Sequence, residues 1–130
     1  DLSKDGSSVS KKWFNENLDS RIGGMVVVDG YLYGSGDNNR EWRCVDWETG
    51  EEKYASKDIG KGVTIYADGM LYCYSDRGEL GLAEATPEKF NLVSETRVEL
   101  GSAQHWSHPV IHNGRLYLRH GNALIAYKVK

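Results

Sequence analysis

The chain has 130 residues, a net charge of −3 and a pI near 5.8. Its 39% apolar and 27% charged residues exclude disorder, and it has no basic stripe of the kind that binds nucleic acid. No apolar run approaches a membrane span, no signal peptide opens the chain, and fifteen glycines against two prolines suit many tight turns. In chain order, residues 1–21 read as the outer strands of a unit whose inner strands are missing. Leu2-Ser3-Lys4-Asp5-Gly6, running on to Trp13, is a strand, a tight turn and a strand. Residues 22–60 then read as four strands: Met25–Val28 and Tyr31–Tyr33 around Asp29-Gly30, followed by an outer hairpin from Cys44 to Tyr54. Residues 61–101 repeat the plan, with Val63–Tyr66 and Met70–Tyr74 around Asp68-Gly69. Their outer hairpin, Glu79 to Leu100, is divergent and turns at Ala85–Phe90. Residues 102–130 hold Pro109–Ile111 and Arg115–Leu118 around Asn113-Gly114, then Asn122–Tyr127, and stop after a third strand.

The recurring frame is Asp/Asn-Gly-x-Leu-Tyr: Asp29–Tyr33 with Leu32, Asp68–Tyr72 with Leu71, and Asn113–Tyr117 with Leu116. Its glycines stand 39 and then 45 residues apart. Asp-Gly and Asn-Gly tolerate the positive φ angles of a two-residue hairpin turn. The first strand of each pair is nearly all apolar, as suits a strand buried on both faces. A period of about 40–45 residues with four short strands per unit is the pattern of a β-propeller blade. The fold class expected is therefore all-β: four-stranded antiparallel meanders forming a partial or oligomer-completed propeller of about three blades.

A second motif makes the resemblance more specific. Cys44-Val45-Asp46-Trp47-Glu48-Thr49-Gly50-Glu51-Glu52-Lys53-Tyr54 resembles the tryptophan-docking motif of quinoprotein alcohol dehydrogenase-like propellers, built of pyrroloquinoline-quinone-like repeats. That family includes quinone-dependent dehydrogenases. It also includes non-enzymatic scaffolds similar to the lipoprotein of the outer-membrane β-barrel assembly machinery. The chain departs from the motif at Cys44, where a small residue is usual, and at Tyr54, where a tryptophan is usual. It also lacks an adjacent cysteine pair. The resemblance implies a periplasmic or secreted setting. Pyrroloquinoline quinone with calcium is implied only if the chain is part of a dehydrogenase whose catalytic residues lie in other blades.

The densest polar-aromatic cluster is Gln104-His105-Trp106-Ser107-His108, which leads into an inner strand, together with Arg119 and His120 after the next strand. Loops entering the inner strands lie at one mouth of a propeller channel, so His105, Trp106, His108, Arg119 and His120 are the candidate ligand-binding residues. The readings for this cluster are a non-metal pocket, a metal site, or ordinary loop packing. Arg119 and His120 are adjacent on a strand and face opposite ways. His112 belongs to the far end of its strand. Cys44 and Cys73 read as buried small apolar residues rather than a disulfide framework. Gly34-Ser35-Gly36-Asp37-Asn38-Asn39 lacks the spacing of a calcium loop.

No nucleophile elbow, phosphate loop or dinucleotide fingerprint is present. The reading that follows is a non-catalytic scaffold binding a protein or glycan at one mouth of the channel. The alternatives are a quinone-dependent dehydrogenase fragment and a hydrolytic propeller. Two copies could close a pseudo-six-bladed ring, each completing the other's last blade.

Overall fold

The computed structural model of the protein describes residues 1–129. It is all-β: eleven strands and no helix among the described residues. The first sheet contains β1 (Val26–Val28), β2 (Tyr31–Ser35), β3 (Trp42–Asp46) and β4 (Glu52–Ser56). The second contains β5 (Gly62–Ala67), β6 (Met70–Ser75), β7 (Glu79–Glu84) and β8 (Leu92–Arg97). The third contains β9 (Val110–His112), β10 (Arg115–His120) and β11 (Ala123–Lys128). Every strand pairs antiparallel with its neighbour in sequence, so each sheet is a meander of the propeller-blade kind.

Turn chemistry sets the register. Asp29 and Gly30 have φ of 48° and 81°, Asp68 and Gly69 51° and 79°, and Asn113 and Gly114 48° and 68°. Two consecutive positive φ angles define the hairpin turn whose twist matches that of its strands. All three frames therefore close the innermost hairpin of a sheet in the same way.

The core lies between sheets rather than within one. Val28, Tyr33, Trp42 and Cys44 of the first sheet pack on Leu71, Cys73 and Ala83 of the second, with Ile59 and Phe90 closing the layer. Val63, Tyr74, Leu80 and Val98 of the second unit pack on Leu116 and Leu118 of the third. Face-to-face stacking of consecutive meanders is what the apolar inner strands require. Cys44 and Cys73 are buried free thiols, and burial pushes them up to about 11 and about 12.

The docking motif is visible at the first sheet. Asp46 Oδ1 accepts from the Thr49 N–H at 2.8 Å, the Glu48 N–H at 2.9 Å and the Thr49 hydroxyl at 3.0 Å. Those bonds hold Asp46 below the usual carboxylate range. Gly50, at φ 77°, leaves room for the Trp13 ring, which an added Cβ would meet at 2.8 Å. Trp13 Nε1 donates to the Trp47 carbonyl at 2.8 Å and stands edge-on to the Trp47 ring. Asp5 organises the N-terminal copy in the same manner, accepting from Ser3 and Ser7 before Gly6 at φ 71°. In the divergent second unit, Phe90 takes the place of the Thr-Gly turn. It stacks on Trp42 at 6.1 Å and receives Tyr54 edge-on at 6.3 Å.

Candidate functional site

Because the meanders are antiparallel, the segments entering β1, β5 and β9 lie at the same end as those leaving β2, β6 and β10. All three sheets meet there. Arg21 and Ile22 precede β1, Asp37 follows β2, Lys61 precedes β5, Asp76 follows β6 and Trp106 precedes β9. Together they line a cleft of about 540 Å³. Trp106 is 60% exposed and also walls an adjoining hollow of about 300 Å³, which Gln104, Ser107 and Arg119 help to line.

The floor of the cleft is an ion-pair ladder running between the first and second sheets. Lys61 pairs with Asp37, Arg21 Nε lies 3.2 Å from Asp37 Oδ2, and an Arg40 guanidinium nitrogen lies 3.4 Å from Asp76 Oδ1. The hydrogen bond from Lys61 holds the Asp37 carboxyl below the usual carboxylate range. Asp37 therefore stays ionised and serves as an acceptor and counter-ion. Its loop is fixed from behind by Asp19, whose Oδ1 accepts the Asp37 N–H at 2.6 Å.

The residues singled out in the sequence divide into two layers. Trp106 and Arg119 line the open space. His105 and His120 pack beneath it, stacked at 3.5 Å and 20°. Tyr74 Oη lies 2.5 Å from His105 Nδ1. His120 is 6% exposed, with its ring nitrogens 2.8 Å from the Leu100 and Ala103 carbonyls. His108 Nε2 donates to the Ile22 carbonyl at 3.1 Å and ties the third sheet's entry loop to the first sheet's. His112 ends β9, at the other end of that strand from Trp106. Among the described residues, no group of three His, Cys, Asp or Glu side chains converges to hold a metal.

Sequence reasoning missed Arg21, Asp37, Lys61 and Asp76. One signal was available: Ser35-Gly36-Asp37 and Ser75-Asp76 both place a serine and then an aspartate at the end of the second strand of a unit. A further hollow, about 290 Å³ between Lys11–Trp13 and Trp47, lies beside the contact of Trp13 with Trp47, and its lining comes from the N-terminal segment and the first sheet alone.

No family model matches the chain, and no curated protein matches it in sequence. Among solved structures the chain is similar to BamB from Moraxella catarrhalis, with a TM-score of 0.61 at 12% identity. The likeness covers 78% of this chain and 29% of that one. At such identity it shows the fold: these are β-propeller blades, and the chain spans less than a third of the propeller protein it resembles.

Proposed function

We propose that the chain is a non-catalytic β-propeller binding module, and that the cleft at the channel mouth receives a protein partner. The observation that carries this reading is the placement of Trp106. It stands 60% exposed, brought by the third sheet's entry segment over a charged floor that the first and second sheets supply. Exposed Trp and Arg side chains grouped at a concave surface are the residues that dominate protein interfaces. The carboxylates of the floor already face cations of the chain, Asp37 facing Lys61 and Asp76 facing Arg40. Such groups orient a ligand through hydrogen bonds. A dehydrogenase would instead need an open carboxylate beside a calcium ion and aromatic faces on both sides of a quinone, which these residues do not offer.

A periplasmic or secreted setting goes with this reading. Among the described residues no helix is long and apolar enough to cross a membrane. The reading also has the outer face of the third sheet, where Val110 is 54% and Leu124 74% exposed, covered by another blade. Sedimentation of the chain over a concentration series shows whether a second copy supplies it.

The test is a display-library selection for peptides that bind the chain, run beside a glycan array and a quinone titration with calcium. The expected result is peptide ligands whose affinity drops about 30-fold or more in Trp106→Ala, as an interface anchor worth at least about 2 kcal/mol requires. Ligands indifferent to Trp106→Ala and Arg21→Ala would refute the site. Trp106-dependent glycans would change the ligand class, and saturable quinone uptake would restore the dehydrogenase alternative.

A further inference from the structure

The segment that carries Trp106 to the mouth is held by an unusual contact. Leu100 and Ala103 turn their carbonyls inward so that both point at the ring of His120, each 2.8 Å from a ring nitrogen. The ring therefore bridges two carbonyls of one short segment and holds them together. The strap between those carbonyls is wound tightly. Gly101 has φ of 100°, and an added Cβ there would lie 2.2 Å from the His120 carbonyl oxygen. Ala103 has φ of 73°, a region an L-residue occupies only when its surroundings hold it there.

His105 lies flat on that ring, with centroids 3.5 Å apart. Its Nδ1 is 2.5 Å from the Tyr74 hydroxyl, and Gly78, at φ 90°, gives it room: a Cβ at Gly78 would meet the ring at 2.7 Å. A neutral His105 accepts a hydrogen bond from the Tyr74 hydroxyl. A protonated His105 has no lone pair for that hydroxyl and brings a charge into the packed stack. The other charged groups near it are Arg97, at the end of β8, which opposes protonation of His105, and Asp76, after β6, which favours it. Burial first, then His120 and Arg97, hold His105 below the usual histidine range.

We propose that the His105–His120 stack is an acid-sensitive latch: near neutral pH it fixes the segment carrying Trp106 at the mouth, and on acidification the second proton parts the rings and frees that segment. Trp106 is bracketed by two anchors. One is the stack. The other is Ser107, whose hydroxyl donates to the Arg119 carbonyl at 2.5 Å and accepts the Arg119 N–H at 3.2 Å. Release of the first leaves the indole tethered on one side only, so the binding surface loses its shape without the blades coming apart. This rests on the mouth being the binding surface, but the latch itself is measured without any ligand.

The experiment is histidine-ring ¹⁵N–¹H correlation spectroscopy of the 130-residue chain, with amide exchange of residues 99–108 corrected for intrinsic rates, from pH 7.5 to 5. At pH 7.5 His105 should carry one ring proton, on Nε2, with Nδ1 free to accept from Tyr74. As His105 gains its second proton, exchange in 99–108 should rise at least about tenfold while β5–β7 stays protected. His105→Phe, which keeps a flat ring but takes no proton, should abolish the rise. Exchange in 99–108 that ignores the protonation of His105 would overturn the proposal, as would a His105 ring that carries its proton on Nδ1 at pH 7.5. Should His105→Phe fail to fold, the wild-type comparison of ring protonation with segment exchange decides alone. A failed latch leaves the binding reading intact, since peptide selection at neutral pH does not call on the acid response.

Discussion

Ser35→Ala is the sharpest test of how the blades are joined. β5 is the innermost strand of the second sheet, and its outer neighbour β6 takes up only alternate residues. The Asp76 N–H donates to the Lys61 carbonyl at 2.8 Å, so in an antiparallel ladder Gly62 and Thr64 turn their polar groups to the open edge. The first sheet satisfies them across the gap. Ser35 Oγ donates to the Gly62 carbonyl at 2.8 Å and accepts the Gly62 N–H at 2.9 Å, while the Thr64 N–H reaches the Gly24 carbonyl at 3.3 Å. Ser35 is 2% exposed, Gly62 is buried, and the crevice beside them is too narrow to admit a water. Removing one oxygen therefore strands a buried donor and a buried acceptor together. Each costs about 1–3 kcal/mol, so Ser35→Ala should lose about 2–6 kcal/mol. With a urea m-value of about 2 kcal/mol per M, the midpoint should fall by about 1–3 M. Ser94→Ala, at an exposed position on the outer strand β8, is the control and should stay within about 0.5 kcal/mol. A Ser35→Ala midpoint indistinguishable from that of Ser94→Ala would refute the argument that this hydroxyl couples the sheets.

Other expectations follow from the same geometry. Gly69→Val, at φ 79° in a hairpin turn, should cost about 1–2 kcal/mol through left-handed strain alone, since nothing lies within 4 Å of the added Cβ; a denaturation curve checks it. Leu118→Ala, at 0% exposure between the second and third sheets, should cost about 2–5 kcal/mol, read as a lowered urea midpoint. The pH dependence of stability should show two declines. The unfolded chain protonates at His105 near the ordinary 6.5 before the folded ring does, so stability should be complete above that value and fall as pH drops through it. Asp37 and Asp46 are held low in the fold, so their contribution should vanish only as pH falls below the ordinary 3.8. Urea titrations at stepped pH separate the two, and His105→Phe should remove the first alone.

The sheets were legible because their signals are local. An Asp-Gly or Asn-Gly pair dictates its own turn, and the apolar strands on either side follow at fixed distance. The mouth was legible only in part. The run from Gln104 to His108 stands out by composition, and strand alternation already says that Arg119 and His120 face opposite ways, as the exposed Arg119 and buried His120 do. Alternation does not say which of the two faces the ligand space. The Asp37–Lys61 pair joins residues from different sheets, and the use of Ser35 depends on the exact approach of a strand edge 27 positions later. No pattern of period two encodes either.

One correspondence does unite the local and the distant parts. Ser35, Ser75 and His120 are each the last residue of the second strand in their sheet, and each is buried. All satisfy backbone groups at the mouth, but over different ranges. Ser75 accepts from Arg77 and Glu79 within its own turn, and Ser35 reaches across to the next sheet's edge. The longer imidazole of His120 collects two carbonyls of the loop that precedes its own sheet. A serine at position 120 would be too short to span both and would leave the Leu100–Ala103 strap without its anchor. The third position thus uses the repeat's fixed polar site to hold a loop larger than the one that precedes the second sheet, and that loop brings Trp106 to the cleft. The asymmetry of the mouth, with its charged floor on two sheets and its aromatic wall on the third, follows from that one change of side chain.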